Sequence, residues 1–333
     1  MTSKMNNTDQ NKMMAFTFGD PEPVMGNRGL MDYLQCLKAG KWYETPLSMD
    51  GLTRTLRAAV HHSSAINVKR NILTAMYKPH QLLPREEFGK FVFNYLVLGN
   101  AYIEERPNRI GGRLKFQCRL TKYMRRDINL TDYWWVTGYG SEQQIDGKSI
   151  FHLMDPDLDQ EIYGIPQWLP VLNSALLNES ATLFRRKYYE NGSHAGFILY
   201  VSDPAQSPDD VDAIRNALKS AKGPGNFRNL FFYSPNGKKD GVQLIPVSQV
   251  AASDEFLNIK NATRDDILAA HRVPPQLMGI VPNNAAGFGD ATKAAEIFFE
   301  NEITPLIQQF KQFNQWAGEE ILTFGEYSLA VQK

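Results

Sequence analysis

The chain has 333 residues, with 36 Lys and Arg against 36 Asp and Glu for a formal net charge of +0, and its 43% hydrophobic and 11% aromatic content is ample for a packed core. That length suggests about two domains, and the missing basic excess argues against a tight nucleic-acid clamp that works by neutralising phosphates. No apolar run approaches the ~20 residues that a membrane span requires, and Cys36 and Cys118 lie far apart and form no CxxC, so free thiols are expected rather than a disulfide scaffold or a zinc site.

The first residues, MTSKMNNTDQNKMM, are polar and lack the apolar centre of a signal peptide. They read as a disordered arm of a cytoplasmic protein. Short helices are expected at Arg28–Lys41 and Leu52–Val60. A stronger one runs over Arg85–Leu98, where Phe88, Phe91, Val92, Tyr95 and Leu96 fall at helical spacing and Gly99 supplies a left-handed stop. AYIEE then reads as a strand. In Arg113–Leu120, Leu114, Phe116, Cys118 and Leu120 alternate with Arg113, Lys115, Gln117 and Arg119, the period of a strand with one apolar and one basic face. Further strands are expected at Tyr133–Tyr139 and Ile150–Met154, which makes the first half an α+β unit.

From Ile165 a long helix is expected, carrying Trp168, Leu169, Leu172, Ala175, Leu176, Leu183 and Phe184 on one side and ending at Asn191-Gly192. A compact module follows. Its parts are a strand at Gly196–Val201, a helix opened by Ser207-Pro208-Asp209-Asp210, and strands at Leu230–Tyr233 and Val242–Val247 joined by a hairpin-type linker, PNGKKDG. This β-α-β-β insert sits between the long helix and a second one, Asp254–His271, which Pro274-Pro275 closes. A soft segment containing Asn283, Asn284, Gly287, Phe288 and Gly289 leads into a third helix, about Asp290–Leu322, that Pro305 should kink or restart, with Thr304 placed to cap the restart.

Reaction chemistry is hard to place anywhere on this chain. It has no GxxxxGK[ST], GxSxG or HExxH motif. Asp155-Pro156-Asp157-Leu158-Asp159 opens like a calcium loop, but Gln160 stands where that loop needs glycine and Pro166 where it needs a bidentate Glu, so an acidic turn is the plainer reading. His61-His62 has no ligand partner at suitable spacing, and His271 at a helix end is expected as a structural cation. The stretch 106–126 holds Arg106, Arg109, Arg113, Lys115, Arg119, Lys122, Arg125 and Arg126 without an acid. It is either the solvated face of a sheet or a contact for phosphate or an acidic partner; in the second case the protein is a monomeric nucleic-acid-binding factor acting through Arg113, Lys115 and Arg119.

Three stretches in order carry a family resemblance: YGIPQWLPVLNSALLNESATLFRRKYYENGSHAGFILYV, DDILAAHRVPPQLMGI and FFENEITPLIQQF, with LGNAYIEE upstream. They resemble the portal proteins of tailed bacteriophages, in particular the short PBSX-type portals, over roughly Phe88–Leu322. The resemblance implies a ring, a dodecamer, at one capsid vertex of the virion, with DNA packaged and ejected through its channel. It implies a structural protein without enzymatic activity or cofactor, assembled in the host cytoplasm. On this chain it places an arm at 1–26, a wing at 27–165, stem helices at 166–193 and 250–280, a clip at 194–249, a tunnel loop at 281–292 and a kinked wing helix at 293–333. The implied partners are further copies of the chain, double-stranded DNA that slides without sequence preference, the terminase, the major capsid or scaffold protein, and a neck or head-completion protein; no membrane is involved. Asn283, Asn284, Phe288, Asp290 and Lys293 would lie at the channel, and Asp209, Asp210, Asn236, Lys238 and Lys239 on the clip surface.

Overall fold

The computed structural model describes residues 36–138, 140–190, 197–201, 230–233, 242–246, 252–280 and 290–327, with side chains described outside 187–256. The chain divides into two compact units, one formed by Met1–Glu22 and Glu179–Asn261 and the other by Pro23–Asn178 and Ala262–Lys333.

The larger unit opens with strands β1 (Lys38–Ala39) and β2 (Trp42–Tyr43), then helices α1 (Met49–Thr55) and α2 (Val60–Met76), strand β3 (Tyr77–Lys78) and helix α3 (Arg85–Leu98). Strands β4 (Asn100–Pro107), β5 (Arg113–Arg119), β6 (Met124–Asp127), β7 (Tyr133–Gly138), β8 (Ser141–Ile145) and β9 (Ile150–Met154) follow. They form two antiparallel sheets, one in the order β1-β2-β6-β7-β8 and the other β5-β4-β9. Helix α4 (Leu172–Glu190) leaves this unit. In the smaller unit β10 (Phe197–Val201) is the central strand, parallel to β11 (Leu230–Tyr233) and antiparallel to β12 (Val242–Pro246). Helix α5 (Ala252–His271) returns the chain, and α6 (Ala291–Phe298), a π-helical turn over Phe299–Ile303, α7 (Thr304–Phe310) and α8 (Gln312–Ala317) follow. Strand β13 (Thr323–Phe324) pairs with β3.

Local chemistry accounts for the central helix. Pro84 at φ −61° leads into α3, Glu86 and Glu87 sit in its first turn where the helix dipole favours acids, and Gly99 ends it at φ +66°. Glycine is required at 99 twice over, since a Cβ there would also stand 2.6 Å from the Ile165 carbonyl carbon. The main core is built around this helix: Phe88, Phe91, Val92 and Tyr95 pack with Ile103 and Phe116 of the β5-β4-β9 sheet and with Phe298, Ile303, Leu306, Phe310 and Phe313 of the C-terminal helices. A second core joins α1 and the other side of α3 to Trp168, Ala175 and Ile267, and a third lies under the five-stranded sheet.

Several expectations from the sequence need correction. Of Arg28–Lys41, the described part is not helical: Gly40 at φ +69° turns β1 back on β2. Helix α2 was not anticipated, because buried His62 and Lys69 interrupt its apolar stripe. The long helix starts at Leu172 rather than Ile165; Pro166 and a 3-10 turn at Leu169–Val171, with Pro170 inside it, precede it. Strands β11 and β12 do not form a hairpin with each other, since β10 lies between them. Along β5 only the middle follows the alternation: Phe116 is buried, while Leu114 and Leu120 are exposed. The C-terminal helix stops at Ala317, where Gly318 is left-handed, and Thr304 is not the cap of the restart: it is the first residue of α7, and the N-cap position falls on Ile303, which makes no side-chain cap hydrogen bond. The N-terminal arm and the helix expected after Ser207 lie outside the described residues.

Candidate functional site

Within the larger unit the first residues of α4 lie beside the last residues of α5. Asn178 of α4 donates to the Thr263 hydroxyl of α5 at 2.7 Å, and the Ser174 hydroxyl donates to Asp266 at 2.9 Å. Ala175, Ile267 and Leu268 are buried there, while Leu177 on α4 is half exposed. Further along, within the smaller unit, Leu183 and Phe184 of α4 and Leu257 of α5 are exposed as well. Exposed apolar side chains are candidates for contact with another copy.

Beneath these helix bases lies a buried polar cluster that sequence reasoning missed. Lys69 of α2 donates to Glu302 at 2.5 Å, and both side chains are more than nine-tenths buried. Arg272, just past the end of α5, reaches the same carboxylate at 3.2 Å and also donates to Gln167 at 2.9 Å. Gln167 in turn donates to Asp155 at 3.0 Å, and the Tyr95 hydroxyl donates to Gln309 at 2.8 Å. Burial pulls the Lys69 ammonium below its ordinary value against the opposing pull of Glu302, and burial lifts the Asp155 carboxyl against the hydrogen bond from Gln167. Asp155 is thus an interior structural residue. Its only sequence signal was its place at the start of an acidic run.

His62 and His271 form a second buried pair, with Nδ1 of the first 2.8 Å from Nε2 of the second. Trp168 meets the His62 ring edge-on, and His62 Nε2 has no hydrogen-bond partner. Burial lowers His62 to about 4; burial, with the neighbouring His62 and Lys69, lowers His271 to about 2. The expectation of a cationic His271 is therefore overturned: its ring is neutral, sealed between helices rather than facing the solvent at a helix end.

Much of the basic stretch is neutralised in space. Arg119 pairs with Glu104, Arg106 with the same Glu104 at 2.8 Å, Arg113 with Glu105 at 3.2 Å and Glu319 at 3.5 Å, Lys122 with Asp50 at 3.1 Å and Arg125 with Glu44 at 2.8 Å. Arg113 also lies over Phe116, and Arg119 over Trp135. Lys115 is exposed. These acids come from β4, from α1, from the residue after β2 and from the C-terminal segment, so a reading along 106–126 alone does not see them.

Of the residues expected at a channel, Asp290 and Lys293 are described. Asp290 is the N-cap of α6, accepting from the Thr292 and Lys293 amides at 3.0 Å each, and Lys293 is exposed on the first turn. Asn283, Asn284 and Phe288, and the surface residues Asp209, Asp210, Asn236, Lys238 and Lys239, lie outside the described residues. Among the described residues no group of three or more His, Cys, Asp or Glu is placed to hold a metal ion, and no helix is long and apolar enough to cross a membrane.

Comparison with known proteins places this architecture. The family described as "Phage portal protein" matches residues 63–320. The "Probable portal protein" of Escherichia phage P2 is 49% identical over 318 residues, covering 96% of this chain and 92% of that protein. The "Probable portal protein" of Haemophilus phage HP1 (strain HP1c1) is 32% identical over 269 residues, covering 79% and 78%. Among solved structures, a chain of the virion of a native gene transfer agent particle aligns with a TM-score of 0.62 at 16% identity, covering 88% of each chain. A HK97 family phage portal protein from Corynebacterium diphtheriae aligns at 0.52 and 16%, covering 82% of this chain and 93% of that one. An α+β chain with two long helices framing a three-stranded insert, no recognisable catalytic motif, and close to half its residues shared with a phage portal protein belongs to the phage portal protein family.

Proposed function

We propose that this chain is the subunit of a closed ring, a dodecamer, at one vertex of a phage capsid, and that DNA enters and leaves the virion through the hole on the ring axis. The observation that carries the reading is identity of 49% across 96% of the chain to the P2 portal protein. One fold neighbour is the neck of a native gene transfer agent particle computed with C12 symmetry, aligned at a TM-score of 0.58. The exposed Leu177, Leu183 and Leu257 on α4 and α5 supply apolar surface that neighbouring subunits would cover.

In this reading 27–165 is the wing, 166–193 and 250–280 the stem, 194–249 the clip and 293–333 the returning wing segment. The role is structural, with no reaction catalysed. The clip, through Asp209, Asp210, Asn236, Lys238 and Lys239, would meet the terminase and later a neck or head-completion protein, and the wing would meet the major capsid or scaffold protein. The segment 281–292 would face double-stranded DNA. A net charge of +0 and an amide-rich sequence at 283–284 suit a surface past which DNA slides, because each neutralised phosphate would add salt-dependent affinity. Deleting 283–288 should leave the ring intact and impair packaging or retention of DNA in a complementation assay; loss of the ring would refute the assignment.

The alternative, a monomeric nucleic-acid-binding factor acting through Arg113, Lys115 and Arg119, loses its main support. Two of those three cations are already held by carboxylates.

A further inference from the structure

The turn between α6 and α7 is wider than an α-helix, and the buried residues show why. Ala295 and Phe298 point into the core before it, and Ile303, Leu306 and Phe310 after it. Phe298 and Ile303 are five residues apart. At 3.6 residues per turn an α-helix would set them about 140° apart. A turn closed by i→i+5 bonds brings a residue five positions on back to nearly the same side. The Thr304 amide does bond to the Phe299 carbonyl, five residues back, and Pro305 next to it has no amide to offer Asn301. The extra residue in this turn aligns two helical faces that would otherwise diverge.

Glu302 sits inside the wide turn. It is the point where three parts of the larger unit are tied together: Lys69 from the middle of α2, Arg272 from the end of α5, and the π-turn itself. The α5 end is under backbone strain, since Arg272 is a non-glycine residue at φ +54°. Beside the carboxylate a cavity of about 30 Å³ is lined by Lys69, Tyr95, Asp155, Gln167 and Glu302. That is room for roughly one water molecule to hydrate a carboxylate that leaves its partners.

We propose that the turn Phe299–Ile303 has two accessible registers and that Glu302, held by Lys69 and Arg272, locks it in the wide one. Pulling Arg272 away with the end of α5 leaves a carboxylate buried against one cation instead of two. The turn then loosens, and the competing α-helical register, which rotates α6 relative to α7 by about 100° and turns Phe298 from the core, is populated as a minor state. Movement of the α5 end is thereby converted into rotation of α6.

Amide hydrogen exchange of the full-length chain tests this, with Glu302→Gln as the main variant; it keeps the volume and removes the charge. Exchange over 292–304 should accelerate about tenfold or more while α3, at the centre of the core, keeps its protection. Arg272→Gln changes a mostly exposed side chain, will fold, and should produce the same local change to a smaller degree. Deleting Asn301, an exposed residue of the wide turn, removes the extra position and should abolish the response to Glu302→Gln. Unchanged protection over 292–304 in Arg272→Gln and Glu302→Gln would overturn the proposal. So would an increase spread evenly over the unit, the signature of a merely structural ion pair. If Glu302→Gln does not fold, Arg272→Gln decides alone.

Discussion

Gly164 and the His62–His271 pair show how much single positions constrain this fold. A Cβ on Gly164 would lie 2.1 Å from the Gly99 carbonyl oxygen and 2.4 Å from the Asp155 amide nitrogen, with backbone on both sides and no flexible side chain to give way. Gly164→Ala should destabilise the chain by about 3 kcal/mol or more in denaturant unfolding, with little change in the slope against denaturant. The two histidines predict an acid sensitivity whose sign follows from their neutrality. Each ring titrates near 6.5 in the unfolded chain, and His62 only near about 4 in the folded one. Between those values the unfolded chain holds more protons, so stability falls as the pH drops from 7 toward 4, on the order of 3 kcal/mol from His62 alone. The comparison of wild type with a His62→Phe, His271→Leu double variant isolates this contribution from the carboxylates; equal pH slopes in the two would contradict it.

At the scale of elements, the β4–β5 hairpin distinguishes a structural basic face from a binding one. Arg119 is mostly buried and shares Glu104 with Arg106, whereas Lys115 is exposed. Arg119→Glu would leave buried Glu104 facing a like charge and should cost about 3 kcal/mol. Lys115→Glu should stay within about 0.5 kcal/mol of wild type. Thermal unfolding of the two variants checks both, and equal effects would mean that the ion pairs do not govern this face. The hairpin also shows what a sequence can and cannot reveal. Helix α3 was legible because its apolar residues recur at helical spacing and glycine marks its end. Helix α2 was not: its inward face carries His62 and Lys69, whose partners His271 and Glu302 are 209 and 233 residues away. The pairing of the arginines was equally hidden, since Glu319 reaches Arg113 across 206 residues. Local periodicity reports apolar burial; it cannot report a polar interior assembled from distant segments. The widening before Pro305 lay between these cases. A helix disruption was expected there from proline chemistry, but its form, a π-turn, depends on which faces must be buried.

The whole molecule was read from the order of its parts more than from any single motif. Two long helices separated by a strand-rich insert, then a double proline, a soft segment and a disrupted helix, form a succession that each element alone would not specify. That order supported the portal resemblance, and the family match over 63–320 bears it out. The residues named for contact with DNA and with the clip's partners had no such support, because they were placed by analogy of position and not by chemistry of their own. The central claim concerns assembly, and imaging the purified full-length protein by negative-stain electron microscopy over a wide concentration range tests it most directly. The account predicts rings with an axial hole and twelvefold end views; particles that stay monomeric at every concentration would contradict it.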